Sequence, residues 1–353
     1  MKPTAIDELQ TLVRQNPRVR VRGGGTKPTL SAPREGETSI DLTAIAGMLE
    51  YEPGEFVFTA LAGTRVADVQ AQLAAHGQYL PFDPLFVDQG ATLGGTVASG
   101  ANGPGRYRYG GVRDFLLGVK FINGQGEIVR AGGKVVKNSA GFDIPKLMVG
   151  SLGQYGALIE LSFKVFPKPE AHTTLRLECS MLDAAIDVIQ RLYTSPLEID
   201  SFDLEIADRP IIWLRLAGLR SALPARIDRV RNLIGGGDVI AGDEVLWSDV
   251  REVTWRPKDW MLIKVPITPK RIPAFEQTLP AGIIRRYSSG GQVAWLAAPD
   301  QPAQLDRTLC DQGLSGLVMI GPADQARLGV RGGDSFARRV KSALDPNQRF
   351  VEV

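Results

Sequence analysis

The hydrophobic and polar positions of this chain follow two different patterns, which meet near Pro167 and Pro169. Before that point, short stretches of β-type alternation are separated by glycine clusters, and they predict strands at 19–21, 39–42, 56–62, 117–122, 127–130 and 157–165. Apolar residues at helical spacing between Arg65 and Ala75, ended by Gly77, predict a helix. We therefore expect residues 1–170 to form an α+β domain in which loops, and not regular βαβ crossovers, join the strands.

After residue 170 the glycine clusters thin out and the alternation becomes cleaner. The pattern predicts a strand at 173–180, a helix at 182–192, strands at 199–206 and 211–217, and a helix at 225–233, which is the order of a ferredoxin-like unit. A looser second set follows, with strands at 260–265, 283–287, 292–297 and 314–320 and helices near 269 and at 302–311. We expect one α+β cap or substrate domain at 171–322. Residues 323–353, with a helix at 335–344, are too short to fold alone and are expected to pack back on the first domain.

Composition and charge narrow the class of protein. At 353 residues the chain has room for two domains, and its net charge of +2 gives no reason to expect a nucleic-acid partner. No run approaches the roughly 18–20 apolar residues of a membrane span. We expect a cytoplasmic protein, peripheral to the inner membrane only through partners. Cys179 and Cys310 are expected to be reduced, and with only His76 and His172 a histidine-rich metal centre is excluded, so no metal site is predicted.

Three glycine clusters carry the candidate chemistry. The first, Arg22 to Lys27, follows a predicted strand, and successive backbone N–H groups in such a turn cradle phosphate oxygens, although a surface turn has the same composition. The second spans residues 84–111, and a connection this long is unusual inside a domain unless it is functional. The third, residues 150–156, has glycines that let main chain approach a flat ligand. Together the clusters predict one large cofactor held mostly by main chain.

The succession RGGGTK, ATLGGTVASG, RYGGVRD, KNSAGFD and GSLGQYGALIE resembles the flavin-binding domain of the vanillyl-alcohol oxidase type, also called the PCMH-type FAD-binding domain. The resemblance covers about residues 15–168. Within that superfamily, the segment GGKVVKNSAGFDIPKLMVGSLG is most similar to the FAD-binding subunits of bacterial glycolate oxidases. The resemblance implies a PCMH-type FAD-binding domain followed by a ferredoxin-like cap.

The resemblance also implies which residues contact FAD, from the pyrophosphate through the ribityl chain and isoalloxazine to the adenine. They are Arg22, Gly23, Gly24, Gly25, Thr26, Lys27, Pro84, Ala91, Thr92, Leu93, Gly94, Gly95, Ser99, Gly100, Gly150, Gly153, Gly156 and Ile159. The FAD is expected to be non-covalent, since Thr26 stands where bicovalently flavinylated relatives carry histidine. A valine at Gly94 or Gly153 is expected to occupy ligand space and abolish flavin retention.

The substrate site departs from the family pattern. Superfamily dehydrogenases that oxidise 2-hydroxy acids commonly use clustered histidines and a metal in the substrate domain, where this chain has only His172. We assign Arg285, Arg286 and Tyr287 as candidate catalytic residues, because arginine binds a substrate carboxylate bidentately. Trp213 and Arg215 are further candidates, a solvated sheet face is the structural alternative, and no general base stands out.

Three hypotheses for the function remain open. In the first, the chain is the FAD-binding subunit of a glycolate (2-hydroxy acid) oxidase or dehydrogenase, and the flavin transfers hydride or electrons. The resemblance implies two partners, a second FAD-containing catalytic subunit and an iron–sulfur subunit. In the second, the chain is a self-sufficient FAD-dependent oxidoreductase of an alcohol or hydroxy acid. In the third, it is a non-catalytic scaffold subunit of the complex.

Overall fold

The computed structural model describes residues 1–133, 142–299, 301–322, 324–332 and 334–353. Most of the KNSAGFD motif, Lys137 to Gly141, lies outside the described residues. The chain divides into two compact units. The first unit comprises Met1–Asn102, Gly111–Lys168 and Gly332–Val353, and the second comprises Gly103–Gly110 and Pro169–Arg331. Residues 103–110 therefore belong with the second unit, whereas the sequence placed them in the first domain.

The strands in the described residues are β1 (Val19–Arg22), β2 (Thr38–Asp41), β3 (Met48–Glu52), β4 (Val57–Leu61), β5 (Gln78–Tyr79), β6 (Leu116–Ile122), β7 (Ile128–Gly132), β8 (Ala157–Lys164), β9 (Phe166–Pro167), β10 (Ala171–Glu178), β11 (Ser201–Ile206), β12 (Pro210–Gly218), β13 (Asp238–Ile240), β14 (Met261–Pro266), β15 (Ile284–Ser288), β16 (Val293–Ala298), β17 (Ser315–Ile320) and β18 (Arg327–Gly329). The helices are α1 (Ile6–Gln15), α2 (Pro28–Ser31), α3 (Val66–Ala74), α4 (Leu93–Ser99), α5 (Arg106–Tyr109), α6 (Val112–Phe115), α7 (Ile144–Met148), α8 (Leu182–Tyr193), α9 (Leu223–Ile234), α10 (Glu244–Glu252), α11 (Ile272–Glu276), α12 (Pro302–Asp311) and α13 (Asp334–Leu344). Short 3₁₀ turns occur at Leu42–Ala44, Pro53–Glu55 and Pro269–Arg271. None of the helices in the described residues is long and apolar enough to cross a bilayer.

The first unit is built on a five-stranded antiparallel sheet with the order β3-β4-β8-β6-β7, beside the parallel pair β1-β2. Helix α1 buries Leu9 and Val13, which are four residues apart and so share one helical face. These side chains join a cluster with Val19 of β1, Ile159 of β8 and Phe350 of the tail. The last residues of the chain thus complete the core of the first unit.

The second unit contains a nine-stranded antiparallel sheet with the order β13-β10-β12-β11-β15-β16-β14-β17-β18. From β10 to β13 the spatial order is that of a ferredoxin-like unit, and from β14 to β17 the same order is repeated. The two repeats join edge to edge through β11 and β15, where Leu204 pairs with Tyr287. The predicted α+β fold class is confirmed.

Several elements of the fold were absent from the sequence prediction. Strand β3 reads MLEYE, and its side chains are all partly or fully exposed, so it lacks the apolar alternation that marks a half-buried strand. Strands β13 and β18 have three residues each and lie at sheet edges, which leaves too short a pattern to detect. Helix α10 was also missed, although it buries Trp247 and Val250.

Candidate cofactor-binding site

A cleft with about 720 Å³ of empty space, part of it open to solvent, lies in the first unit. Its walls come from the loop after β1, from α2, from the end of β4, from α4, and from the loop that precedes β8. These walls include many of the predicted cofactor residues: Arg22, Gly23, Gly24, Gly25, Thr26, Lys27, Thr92, Gly94, Gly95, Ser99, Gly153 and Gly156. The structure therefore brings the first glycine cluster together with parts of the second and third, although a contact of these residues with FAD stays a prediction.

Six predicted residues do not line the cleft: Pro84, Ala91, Leu93, Gly100, Gly150 and Ile159. Ala91, Leu93 and Ile159 are buried in the packing behind the walls. Gly100 ends α4 in the left-handed conformation, and the Gly150 amide donates to the Val97 carbonyl at 2.9 Å. Pro84 is buried as well, whereas Gly100 is half-buried and Gly150 is exposed outside the cleft.

Sequence reasoning also missed eight residues of the lining, most of them apolar. They are Val21, Leu30, Ser31, Leu42, Ala62, Ala98, Leu152 and Leu158. Some could have been found from the period of the element that carries them, because Ala98 lies about one helical turn after Gly94 and Gly95. Leu42 and Ala62 come from distant segments without any glycine motif to mark them.

The first glycine cluster lies tightly against the segment that leads into α4. A Cβ at Gly23 would come 2.1 Å from Thr92 Oγ1, and a Cβ at Gly24 would come 1.9 Å from the Gly90 carbonyl oxygen. Gly25 has φ +70° and faces open space. Only glycine therefore permits this loop to pack so closely while its backbone turns along the cleft.

The glycines of α4 differ in what they tolerate. A Cβ at Gly94 would meet the Ala62 Cβ and carbonyl oxygen at 2.9 Å. The close packing of α4 against the end of β4 therefore requires glycine at this position. Because Gly94 also lines the cleft, the expectation that a side chain there occupies ligand space stays a prediction, but loss of flavin from Gly94→Val could equally come from the collision with Ala62. At Gly95 the added Cβ would meet only Thr92 Oγ1, at 3.2 Å, and Gly95 lines the cleft. Gly95 is therefore the better position at which to fill the cleft with a side chain.

The wall formed by residues 150–156 is strained and hydrogen-bonded to α4. Leu152 has φ +54°, in a region that non-glycine residues rarely occupy, between Gly150 and Gly153 in similar conformations. The Leu152 amide donates to the Ala98 carbonyl at 2.8 Å. This bond joins the loop to α4, so the two walls are fixed to each other.

Lys27 supplies a buried positive charge at the cleft. Burial lowers the pKa of its amine to about 8. Its Nζ donates to Thr26 Oγ1 at 3.0 Å and lies 5.3 Å from the centre of the Phe86 ring. Within the described residues Lys27 forms no ion pair with a carboxylate, whereas Arg22 is paired with Asp41 at 2.9 Å. An anion in the cleft would therefore meet Lys27 as the less neutralised of the two cations.

In the second unit, the three candidate catalytic residues do not converge. Arg285 Nη2 pairs with Glu276 at 2.7 Å, and the Tyr287 hydroxyl donates to the same carboxylate. Successive residues of a strand point to opposite faces, and Arg286 pairs instead with buried Asp203 at 2.8 Å. The hypothesis of one carboxylate-binding pocket built from all three residues is therefore not supported by their geometry.

The chemistry of these side chains also weakens a catalytic assignment. Burial, followed by the Glu276 carboxylate, raises the pKa of Tyr287 far above its ordinary value, so its phenol stays neutral. The other two candidates of this sheet, Trp213 and Arg215, are bonded to Glu205 at 2.8 Å and to Asp243 at 3.1 Å. Each of these side chains already has a carboxylate partner inside the unit.

Comparison with known proteins places the chain in a family. A family model described as "FAD binding domain" matches residues 1–132. The glycolate oxidase subunit GlcE of Escherichia coli (strain K12) is 37% identical over 250 residues, which are 70% of this chain and 67% of that protein. The chain belongs to this family of FAD-binding oxidoreductases. FAD is accordingly its cofactor.

Other relatives share shorter regions or the fold alone. The glycolate oxidase subunit GlcD of Bacillus subtilis (strain 168) is 30% identical over 189 residues, which are 54% of this chain but only 38% of that protein. A D-lactate dehydrogenase of Anaerostipes hadrus is 30% identical over 177 residues, 50% of this chain and 36% of that protein. A solved structure of alkyldihydroxyacetonephosphate synthase has a TM-score of 0.74 at 14% identity and covers 99% of this chain and 75% of that one, which shows a shared fold.

Proposed function

We propose that the cleft of the first unit holds FAD non-covalently, and that the chain is the FAD-binding subunit of a glycolate (2-hydroxy acid) oxidase-type complex. The observation that carries the proposal is the cleft itself, in which three glycine-bearing segments surround a buried lysine without a carboxylate partner among the described residues. The chain that carries this cleft is 37% identical to GlcE, which supports FAD as the ligand and a glycolate oxidase-type complex as the assembly.

Each wall of the cleft would have a distinct task. The backbone N–H groups of the loop from Gly23 to Gly25 would donate to the pyrophosphate, and Lys27 would balance part of its charge. Gly95 would let the ligand approach α4, and the apolar side chains of Leu30 and Leu158 would pack against its flat surfaces. The bound flavin would supply hydride or electron transfer.

The geometry of the second unit supports a complex over an independent enzyme. Arg285, Arg286 and Tyr287 are already engaged by carboxylates of their own unit, so they offer little to a substrate carboxylate. A second FAD-containing subunit would then oxidise the 2-hydroxy acid, an iron–sulfur subunit would accept the electrons, and this chain would support or relay them. Any membrane association would come through these partners.

One observation favours the self-sufficient enzyme as a second candidate. Burial, and next the neighbouring Arg106, lower the pKa of Lys264 on β14 to about 8. Two adjacent cations can serve an anionic substrate. Under this alternative, the isolated chain would oxidise glycolate with an artificial dye, and Lys264→Met would abolish that activity.

The first experiment is an absorption spectrum of the purified chain before and after acid precipitation. FAD released to the supernatant means a non-covalent flavoprotein. Gly95→Val should purify without flavin but keep its circular dichroism, because the side chain fills the cleft and meets only Thr92. A Gly95→Val protein that retains stoichiometric FAD would show that the flavin binds at another site. Gly54→Val, at a position with open space outside the cleft, is the matched control and should retain FAD.

The assignment to a complex needs a separate test. Glycolate-dependent dye reduction is measured for the isolated chain and for its mixture with GlcD-type and iron–sulfur subunits. Turnover only in the mixture supports the proposed complex, and turnover by the isolated chain supports the alternative. Equal turnover of the mixture with and without this chain's FAD leaves it the role of a scaffold.

A further inference from the structure

The C-terminal tail is hydrogen-bonded to two of the segments that form walls of the cleft. Helix α13 places Lys341 in a buried position, where its Nζ donates to the Gln154 carbonyl at 2.7 Å. Gln154 belongs to the loop that contributes Leu152, Gly153 and Gly156 to the cleft. The Lys341 side chain is thus hydrogen-bonded to the backbone of the loop that forms one wall of the cleft.

The same residues of the tail are held by a second buried group. Lys341 Nζ pairs with Asp345 at 2.6 Å and donates to the Phe350 carbonyl. The Asp345 carboxylate accepts the Arg349 and Phe350 amides at 2.9 and 2.8 Å. Asp345 is fully buried, so the turn from 345 to 350 is built around one ion pair.

Beyond this turn, the tail pairs with the strand that leads into the first glycine cluster. The Val19 amide donates to the Arg349 carbonyl at 2.6 Å, and the Val351 amide donates to the Val19 carbonyl at 3.1 Å. Val19 begins β1, which continues directly into the loop from Arg22 to Lys27. The tail is therefore hydrogen-bonded both to β1, which leads into the first glycine cluster, and to the loop before β8.

The loop before β8 needs such support. Leu152 has a left-handed backbone, a strained conformation for a non-glycine residue that persists only where the surroundings fix it. The Leu152–Ala98 bond restrains one side of this loop, and the Lys341–Gln154 bond restrains the other. Loss of the second bond would leave the loop held by the bonds of Gly150 and Leu152 to α4, with no restraint from the tail at Gln154.

We propose that Lys341 is a positioning residue for FAD: through Gln154, and through the Asp345 turn and Val19, it fixes the spacing of the two loops. This inference rests on the proposed location of FAD in the cleft. It requires reciprocity, because a tail that favours FAD binding must itself be stabilised by bound FAD to the same extent.

The test compares FAD affinity of the full-length apo-protein and its variants by flavin fluorescence titration. Lys341→Met should weaken FAD binding about tenfold or more, since it removes a charge-assisted bond from the wall. Lys120→Met is the matched control. It breaks another 2.6 Å ion pair of the first unit, with Glu160 on the five-stranded sheet, away from the cleft lining. Equal affinities of the two variants would overturn the proposal.

A measurement on the unaltered protein keeps the proposal falsifiable if Lys341→Met does not fold. FAD should slow hydrogen exchange at the Phe350 and Val351 amides, which bond to Asp345 and Val19. Unchanged exchange at both amides with FAD saturating would refute the coupling. Failure of the proposed site is separable, because Gly95→Val would then retain FAD whatever the tail does.

Discussion

In the proposed FAD site, Lys27 should make FAD affinity depend on pH, in a direction that follows from its burial. In the free protein, burial lowers the pKa of its amine to about 8, and a bound pyrophosphate would raise that pKa by stabilising the ammonium. Well below pH 8 the amine is charged before FAD arrives, so its contribution to affinity is complete. As the pH rises through 8, binding must include protonation of the amine, and that contribution is lost. At pH 9, about one unit above this pKa, FAD affinity should be about tenfold weaker than at pH 7. This is a loss of ~1.4 kcal/mol of binding free energy.

The assay is a titration of apo-protein with FAD by flavin fluorescence between pH 6.5 and 9.5. Lys27→Met should bind FAD more weakly at pH 7 and lose the added decline above pH 8, since methionine keeps the apolar length without the charge. Lys164→Met is the control, because Lys164 also lies over an aromatic ring, Phe115 at 5.0 Å, but not at the cleft. Identical pH profiles for the unaltered protein and Lys27→Met would refute the reasoning.

Two further predictions concern stability, measured by urea unfolding. Phe350→Ala should lower the free energy of unfolding of the first unit by about 3–5 kcal/mol, since Phe350 is 1% exposed within the core cluster; Phe350→Leu should recover most of the loss. Arg286→Met should destabilise the second unit by about 3–5 kcal/mol because Asp203, 0% exposed, loses its cation, whereas Asp203→Asn with Arg286→Met should be milder. A loss below 1 kcal/mol in either single variant would contradict the packing described here.

The sequence was most informative where local chemistry determines local structure. The cluster from Gly23 to Gly25 was recognisable because its glycines permit close backbone packing, and that packing is a property of the loop and the segment it touches. Of the two ferredoxin-like repeats, the first was predicted more clearly from the sequence, since the apolar alternation is regular from β10 to β12. Element type could therefore be predicted from neighbouring residues alone, whereas the phosphate-binding role of the loop stays a prediction.

Pairings between distant residues could not be predicted. Arg286 was a plausible carboxylate binder until the fold brought Asp203, 83 residues away, to its guanidinium. The contact of Gly94 with Ala62, which follows β4, was equally invisible in the sequence, although Gly94 also lines the cleft. In both cases the sequence identifies a residue type that suits a ligand, and only the tertiary structure shows which protein group it contacts.

The distribution of unneutralised charge bears on which subunit recognises the substrate. In the first unit, Lys27 borders a cleft and has no carboxylate partner among the described residues, so it is ready for an anion. In the second unit, three arginines of the sheet face carboxylates at 2.7–3.1 Å: Arg215, Arg285 and Arg286. A substrate carboxylate would have to displace those partners and leave buried acids unpaired, which is costly. These three arginines are therefore poorly placed to bind the hydroxy acid, which argues that it is bound by another subunit or, under the alternative, beside Lys264 and Arg106.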